Sequence, residues 1–158
     1  MVITGKAWAC LSDDMDMFVY GCPRVIRNIS LLNKTVLFYD TNNILADLCM
    51  SAEHFKQILV LSGTDYNIYE KTDLDTTIEL YTKYMKQLVT KKISSNISFY
   101  EWIMQTCEYI NNLEQLNTVC ELFKINHIKE LDEISIILKH RNSKELHSIM
   151  EKEGFVFA

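Results

Sequence analysis

The stretch Ala7-Trp8-Ala9-Cys10-Leu11-Ser12-Asp13-Asp14-Met15-Asp16 decides how this chain is read. Ala7 to Leu11 is apolar, brief and stopped by Ser and Asp, which predicts a short buried strand. In open α/β sheets, ligands gather just beyond the carboxyl ends of strands, and three acids stand there: Asp13, Asp14 and Asp16. Like charges that close repel unless a cation sits among them. An oxygen-only cluster of carboxylates suits hard cations such as Mg²⁺ or Mn²⁺. The same residues also fit a helix N-terminus, with Ser12 as cap and the acids at the positive end of the dipole. On this stretch alone both readings stand.

A second stretch, Leu59-Val60-Leu61-Ser62-Gly63-Thr64-Asp65-Tyr66, follows about fifty residues later. The run from Ser51 to Leu61 predicts a helix. Ser51 is its N-cap, Phe55, Ile58 and Leu59 keep helical spacing, and Gly63 stops it. Asp65 therefore falls just past a helix C-terminus, where the dipole disfavours a carboxylate. An acid placed against the dipole needs another reason, and a metal is one.

Together the two stretches resemble the internal nuclease region of the flap endonuclease and XPG family of structure-specific 5′ nucleases. That family carries a strand, then T-E-D-M-D and a G-S-P-like turn. Here these stand as Ser12-Asp13-Asp14-Met15-Asp16 and Tyr20-Gly21-Cys22-Pro23. Its following helix ends in L-x-G-[ST]-D-Y, matched by Leu61-Ser62-Gly63-Thr64-Asp65-Tyr66. The resemblance implies that Asp14, Asp16 and Asp65 are catalytic and ligate a divalent metal, Mg²⁺ or Mn²⁺. Asp13 stands where the family has a non-ligating acid. Arg27 matches a basic residue on a family strand that could touch a DNA phosphate. The family's helix–two-turn–helix, with its G-[IV]-G-x-[KR]-x-A, corresponds to Asn67–Ile78, which holds no glycine and several acids; only Lys71 offers positive charge there.

The resemblance implies an α/β, PIN-like 5′ nuclease half-domain over residues 1–66, with a few strands and flanking helices. A degenerate helix-turn-helix and mainly helical C-terminal region would fill residues 67–158. Met1 to Lys6 matches the end of a helix closed by Gly5, followed by a strand. The family's upstream E-A-E-A acids have no counterpart in these residues. The resemblance therefore reads the chain as the second half of a nuclease domain, whether by truncation, gene splitting or a displaced start.

At 158 residues with 48% apolar residues, the chain is one domain's worth and can bury a core. A formal charge of −5 runs against the basic balance expected of a nucleic-acid binder. No apolar run reaches membrane length, and no signal peptide is visible. The five cysteines lack CxxC or Cys/His ligand spacing, which argues against zinc. Most read as small core residues in a reducing compartment. The four histidines read as surface residues. Abundant Asn, Ile and Lys with little Pro and Gly suggest an AT-rich genome, such as those of some large DNA viruses or parasites. The expected location is nuclear or cytoplasmic, or a viral replication site.

Along the chain, Asp14 to Tyr20 predicts a short helix broken by Gly21-Cys22-Pro23. Arg24–Ile29 and Lys34–Tyr39 predict a hairpin. Asp40 or Thr41 caps a helix through Leu48. Asp75 is expected to cap a helix over Thr76–Val89, and Ser98 one over Phe99–Ile110. Asn111 or Asn112 caps another carrying Leu116, Val119 and Phe123 inward. Leu131–Lys139 reads as strand or helix, and Ser143 as the cap of a last helix ended by Gly154.

Two functions remain in view. One is metal-dependent hydrolysis of branched or flapped DNA in replication, repair or recombination, for which these residues alone would not suffice. The other is a non-catalytic, degenerate nuclease-like scaffold, bound to a sliding clamp or other replication proteins. The glycine-free turn and the acidic charge favour the second.

Overall fold

The computed structural model describes residues 1–67, 72–107, 112–126, 142–152 and 154. Its described elements are β1 (Cys10–Leu11), α1 (Asp16–Val19), β2 (Arg24–Ser30), β3 (Thr35–Asp40), α2 (Thr41–Asp47), α3 (Ala52–Ser62), α4 (Leu74–Val89), α5 (Phe99–Thr106), α6 (Leu113–Leu122) and α7 (Ser143–Lys152). The architecture is mixed α/β. All described strands lie before residue 41, and the described residues after them are helical or irregular. No described helix is long and apolar enough to cross a membrane.

The sheet has the order β1-β2-β3, with β1 parallel to β2 and β2 antiparallel to β3. Side chains alternate across a sheet, and paired residues share a face, so the register sorts the two faces. Cys10, Val25 and Tyr39 share the inner face, where Val25 is fully buried and the Phe18 ring meets Tyr39 edge-on at 5.5 Å. Leu11, Ile26 and Phe38 share the outer one. That outer face is apolar and open: Leu11 is 63% and Phe38 48% exposed, and the 62% exposed Trp8 stacks on Phe38. The expected buried strand over Ala7–Leu11 is thus corrected. Only Cys10 and Leu11 pair, and only the inner face is covered.

The helical side is built around α3. Ser51 accepts the His54 N–H at 3.1 Å and starts the helix as the sequence predicts. Ile58, Leu59, Val60 and Leu61 are all buried, which marks a helix enclosed on nearly every side. It packs against α1, α4, α5 and α6. At its end Gly63 takes φ 107°, a conformation few side chains allow. Asn67, fully buried, then donates through Nδ2 to the Val60 carbonyl at 2.9 Å and satisfies an end-of-helix acceptor.

Tyr81, Tyr84, Phe99 and Trp102 fill the space between α4 and α5, with ring centroids 5.4–5.7 Å apart from Tyr81 to Phe99, Phe99 to Tyr84 and Tyr84 to Trp102. Their polar tips are paired, as burial requires. The Tyr84 hydroxyl donates to the Ile97 carbonyl at 2.8 Å, and Trp102 Nε1 to Gln87 Oε1 at 2.9 Å.

Several predicted boundaries shift. Asp73, not Asp75, caps α4, because its side chain accepts both the Thr76 N–H and hydroxyl. Asn142 rather than Ser143 accepts the Glu145 N–H at the start of α7. The Ser98–Glu101 capping box forms, but α5 ends at Thr106, and residues 108–111 lie outside the described ones. The predicted element at 131–139 and Lys71 lie outside them too. Met1 to Lys6 forms turns rather than a helix end, with the Gly5 N–H on the Val2 carbonyl.

His54 is corrected from a surface residue to a half-buried one, its Nδ1 3.0 Å from the Tyr81 hydroxyl. Burial lowers its pKa, against the pull of Glu53. With the folded pKa below the unfolded one, its neutral form stabilises the protein above the unfolded value of about 6.5; that contribution is lost as pH falls towards the folded value. Thermal melts from pH 7.5 to 5 should therefore fall more steeply for the native chain than for His54→Gln. Parallel curves would place the pH dependence elsewhere.

Candidate metal-binding site

The acid loop lies between β1 and α1, and backbone hydrogen bonds shape it. Ser12 N–H donates to the Ile26 carbonyl at 3.1 Å, extending the β1–β2 pairing by one residue. Ser12 Oγ accepts the Asp14 N–H at 3.1 Å, and Asp14 Oδ1 accepts the Asp16 N–H at 2.9 Å. These are the side-chain-to-backbone turns that Ser and Asp favour. They carry the chain round so that α1 begins at Asp16, with Met15 at the N-cap position and no side-chain cap of its own. The helix-cap reading of Ser12 is thereby replaced by a turn reading.

Asp13 points elsewhere. Its Oδ1 accepts the Asn28 N–H at 2.7 Å. Asn28 can donate because β2 is irregular there: the β2–β3 register shifts between Arg27 and Ser30, and Asn28 takes φ 49°. A bulge of this kind frees a backbone group from the ladder and re-aims it. Arg27 is drawn to the same loop, donating to the Asp13 carbonyl and contacting the Met15 sulfur. The arrangement makes Arg27 a brace of the acid loop. Sequence reasoning missed Asn28; the only available signal was an Asn, a residue that tolerates left-handed backbone, inside a predicted strand. Asn28→Val, whose branched side chain opposes that backbone, should cost about 1–3 kcal/mol in urea unfolding. A wild-type midpoint would contradict this role for the bulge.

Asp65 arrives from the other side. Gly63 ends α3, Thr64 is buried, and Thr64 Oγ1 accepts the Tyr66 N–H at 3.3 Å, which fixes the turn carrying Asp65. A cleft of about 190 Å³ separates the two loops, lined by Met15, Asp16, Ser62, Gly63 and Thr64 among others. Asp16 senses both neighbours: partial burial raises its pKa first, and the charges of Asp14 and Asp65 raise it further.

Asp14 and Asp65 therefore each come within electrostatic reach of Asp16. Among the described residues, however, no three His, Cys, Asp or Glu side chains stand ready as a metal cage. One oxygen of Asp14 is occupied by the turn, and like charges resist closer approach. The donor chemistry, all carboxylate oxygen with mutual repulsion to relieve, fits a hard divalent cation. Closing the set round one ion requires further movement of the carboxylates.

Comparison with known proteins bears on this geometry. The XPG I-region family matches residues 1–65, which contain both loops. Flap endonuclease 1 of Methanococcus aeolicus is 27% identical over 154 residues, covering 98% of this chain and 42% of that protein. Flap endonuclease 1 of Methanocaldococcus jannaschii is 37% identical over 67 residues, covering 42% of this chain and 21% of that protein. A solved flap endonuclease-1 from Methanococcus jannaschii superposes with a TM-score of 0.62 at 22% identity, over 97% of this chain and 42% of that one; at such identity the likeness concerns the fold. The chain spans well under half the length of the relatives it matches. On these findings residues 1–65 match the XPG I-region family, and the chain as a whole is similar in sequence and in fold to part of the flap endonucleases.

Proposed function

We propose that this chain supplies one side of the catalytic centre of a flap endonuclease-like 5′ nuclease. The centre would hydrolyse phosphodiester bonds in branched or flapped DNA with Mg²⁺ or Mn²⁺. The observation carrying the proposal is that two loops about fifty residues apart meet across one cleft, with Asp14 and Asp65 each close enough for its charge to act on Asp16. A divalent ion at such a site activates water and stabilises the leaving oxygen. Asp14, Asp16 and Asp65 would hold it from the protein side. Asp13, Asn28 and Arg27 keep the loop in place against β2. This bracing role supersedes direct phosphate contact as the reading of Arg27, and Lys71 keeps its proposed phosphate contact.

These residues alone are proposed to be insufficient for cleavage. Three carboxylates neutralise little more than one divalent cation, and two-metal hydrolysis needs a second set of ligands. Cleavage of a 5′-flapped duplex in Mg²⁺ or Mn²⁺ should be absent for the 158-residue chain and present for a form extended to the length of its relatives. Robust cutting by the short chain that survives Asp14→Ala and Asp65→Ala would refute the site.

The scaffold reading keeps one supporting observation. Where the family places glycines for close phosphate approach, this chain carries Asp73 as the α4 cap and Asp75 in the first turn. Fewer cationic contacts lower DNA affinity and flatten its salt dependence. An extended form that binds replication proteins yet never cuts would favour this alternative.

A further inference from the structure

The acid loop is flanked by two cysteines that the nuclease reading leaves unused. Cys10 lies in β1 and Cys22 immediately precedes the Pro23–Arg24 entry to β2; the Cys10 thiol lies 3.6 Å from the Met17 sulfur and the Cys22 N–H donates to the Met17 carbonyl at 2.9 Å, so both sit beside Met17. Both line one cavity of about 220 Å³, with Val2, Ile3, Tyr20 and Ile125. Burial first, and then the neighbouring Cys22 thiol, raises the Cys10 pKa, while the Cys22 thiol donates to the Arg24 carbonyl at 3.3 Å. Cys22 is 7% exposed and Cys10 partly so, and both are free thiols. Cys120 lies in another part of the core, 3.3 Å from the Tyr100 hydroxyl.

We infer that Cys10 and Cys22 are a site of reversible disulfide formation that closes a covalent ring around the acid loop. The ring would hold residues 11–21 and therefore Asp13, Asp14 and Asp16, while both cysteines stand outside the proposed ligand set. The oxidant is a small disulfide such as oxidised glutathione. One cysteine loses its proton, and its thiolate attacks a glutathione sulfur, releasing one glutathione thiolate. The other cysteine, deprotonated in turn, attacks the mixed disulfide and releases the second. The products are one protein disulfide and two molecules of reduced glutathione. Because the thiolate is the nucleophile and burial disfavours it, the reaction accelerates as pH rises. Closing a loop this short restricts the unfolded chain.

The test is incubation of the 158-residue chain with oxidised glutathione at pH 8, then peptide mapping without reductant. Cleavage before Asp13, Asp14 and Asp16 separates the two cysteines, so a linked pair is read directly. The expected result is a Cys10–Cys22 cross-link forming before any disulfide involving Cys49, Cys107 or Cys120. Dithiothreitol should reverse it, and the melting temperature should rise by roughly 5 °C. Cys22→Ser should abolish both cross-link and shift. Recovery of Cys10 and Cys22 unlinked, whether reduced or each carrying glutathione, overturns the inference, as does preferential pairing of either with another cysteine.

Discussion

Asp65→Ala or Asp14→Ala, made in an extended form that cuts flapped DNA, is expected to lower kcat by about a thousandfold or more. The loss follows from what the carboxylates face. Asp16 already senses the charges of Asp14 and Asp65. In the proposed centre, removing either acid leaves the cation with too few oxygen ligands to hold it at the scissile phosphate. KM should change less than kcat, because neither acid is placed to bind DNA, and the effect belongs to the chemical step. Asp13→Ala is the internal comparison. Its carboxylate is spent on the Asn28 N–H, 2.7 Å away, so its loss should loosen the loop and cost about tenfold or less. Steady-state kinetics on a 5′-flapped duplex separates the cases. Equal losses at Asp13, Asp14 and Asp65 would mean that the three share one structural role.

The second large effect concerns stability. Phe99→Ala should cost about 3–5 kcal/mol in urea unfolding, in the range of buried aromatic truncations. Phe99 is fully buried where α4 and α5 meet, in ring contact with Tyr81, Tyr84 and Tyr100. Removing the ring leaves a void among groups whose hydroxyls are tied to the Ile97 and Gln57 carbonyls, so the neighbours cannot easily collapse into it. Trp8→Ala, a truncation of similar size on the open sheet face, should cost about 1 kcal/mol or less. Comparable losses at both positions would contradict the assignment of the core to the helical side.

The contrast between Phe99 and Trp8 also marks how far the sequence could be read. The β2–β3 hairpin was legible because Arg24–Ile29 and Lys34–Tyr39 are strand-like runs separated by a short connection in which Asn33 and Lys34 can turn. The α3 helix was legible because Ser51 and Gly63 bracket an apolar run, and both behave as cap and stop. Ala7–Leu11 misled in part. An apolar run reports that a segment can be buried, and here one sheet face remains open. Asp75 was preferred to Asp73 as a cap because the sequence offers two acids two residues apart. The choice falls to the one whose side chain reaches the N–H three residues on. His54 was misjudged because the charged Glu53 and Lys56 beside it suggest a solvated face, whereas it packs against Tyr81 on another helix.

At the site, the approach of Asp16 to Asp65 was legible because each acid follows an element end that a sheet and its covering helix bring to the same edge. The bracing of the loop was not. It depends on the bulge at Asn28 and on where the Arg27 side chain turns, both set by tertiary contacts. Nor did the pattern of acids reveal that Asp14 serves its own turn as well as facing its neighbours.

Titration of the 158-residue chain with Mn²⁺, followed by calorimetry and by the loss of the free-ion paramagnetic resonance signal, tests the central claim most directly. The account predicts one dominant site whose affinity falls at least about tenfold in Asp16→Asn and in Asp65→Asn, while Asp75→Asn, outside the proposed site, binds as the native chain does. Binding that is unchanged by both Asp16→Asn and Asp65→Asn would contradict it.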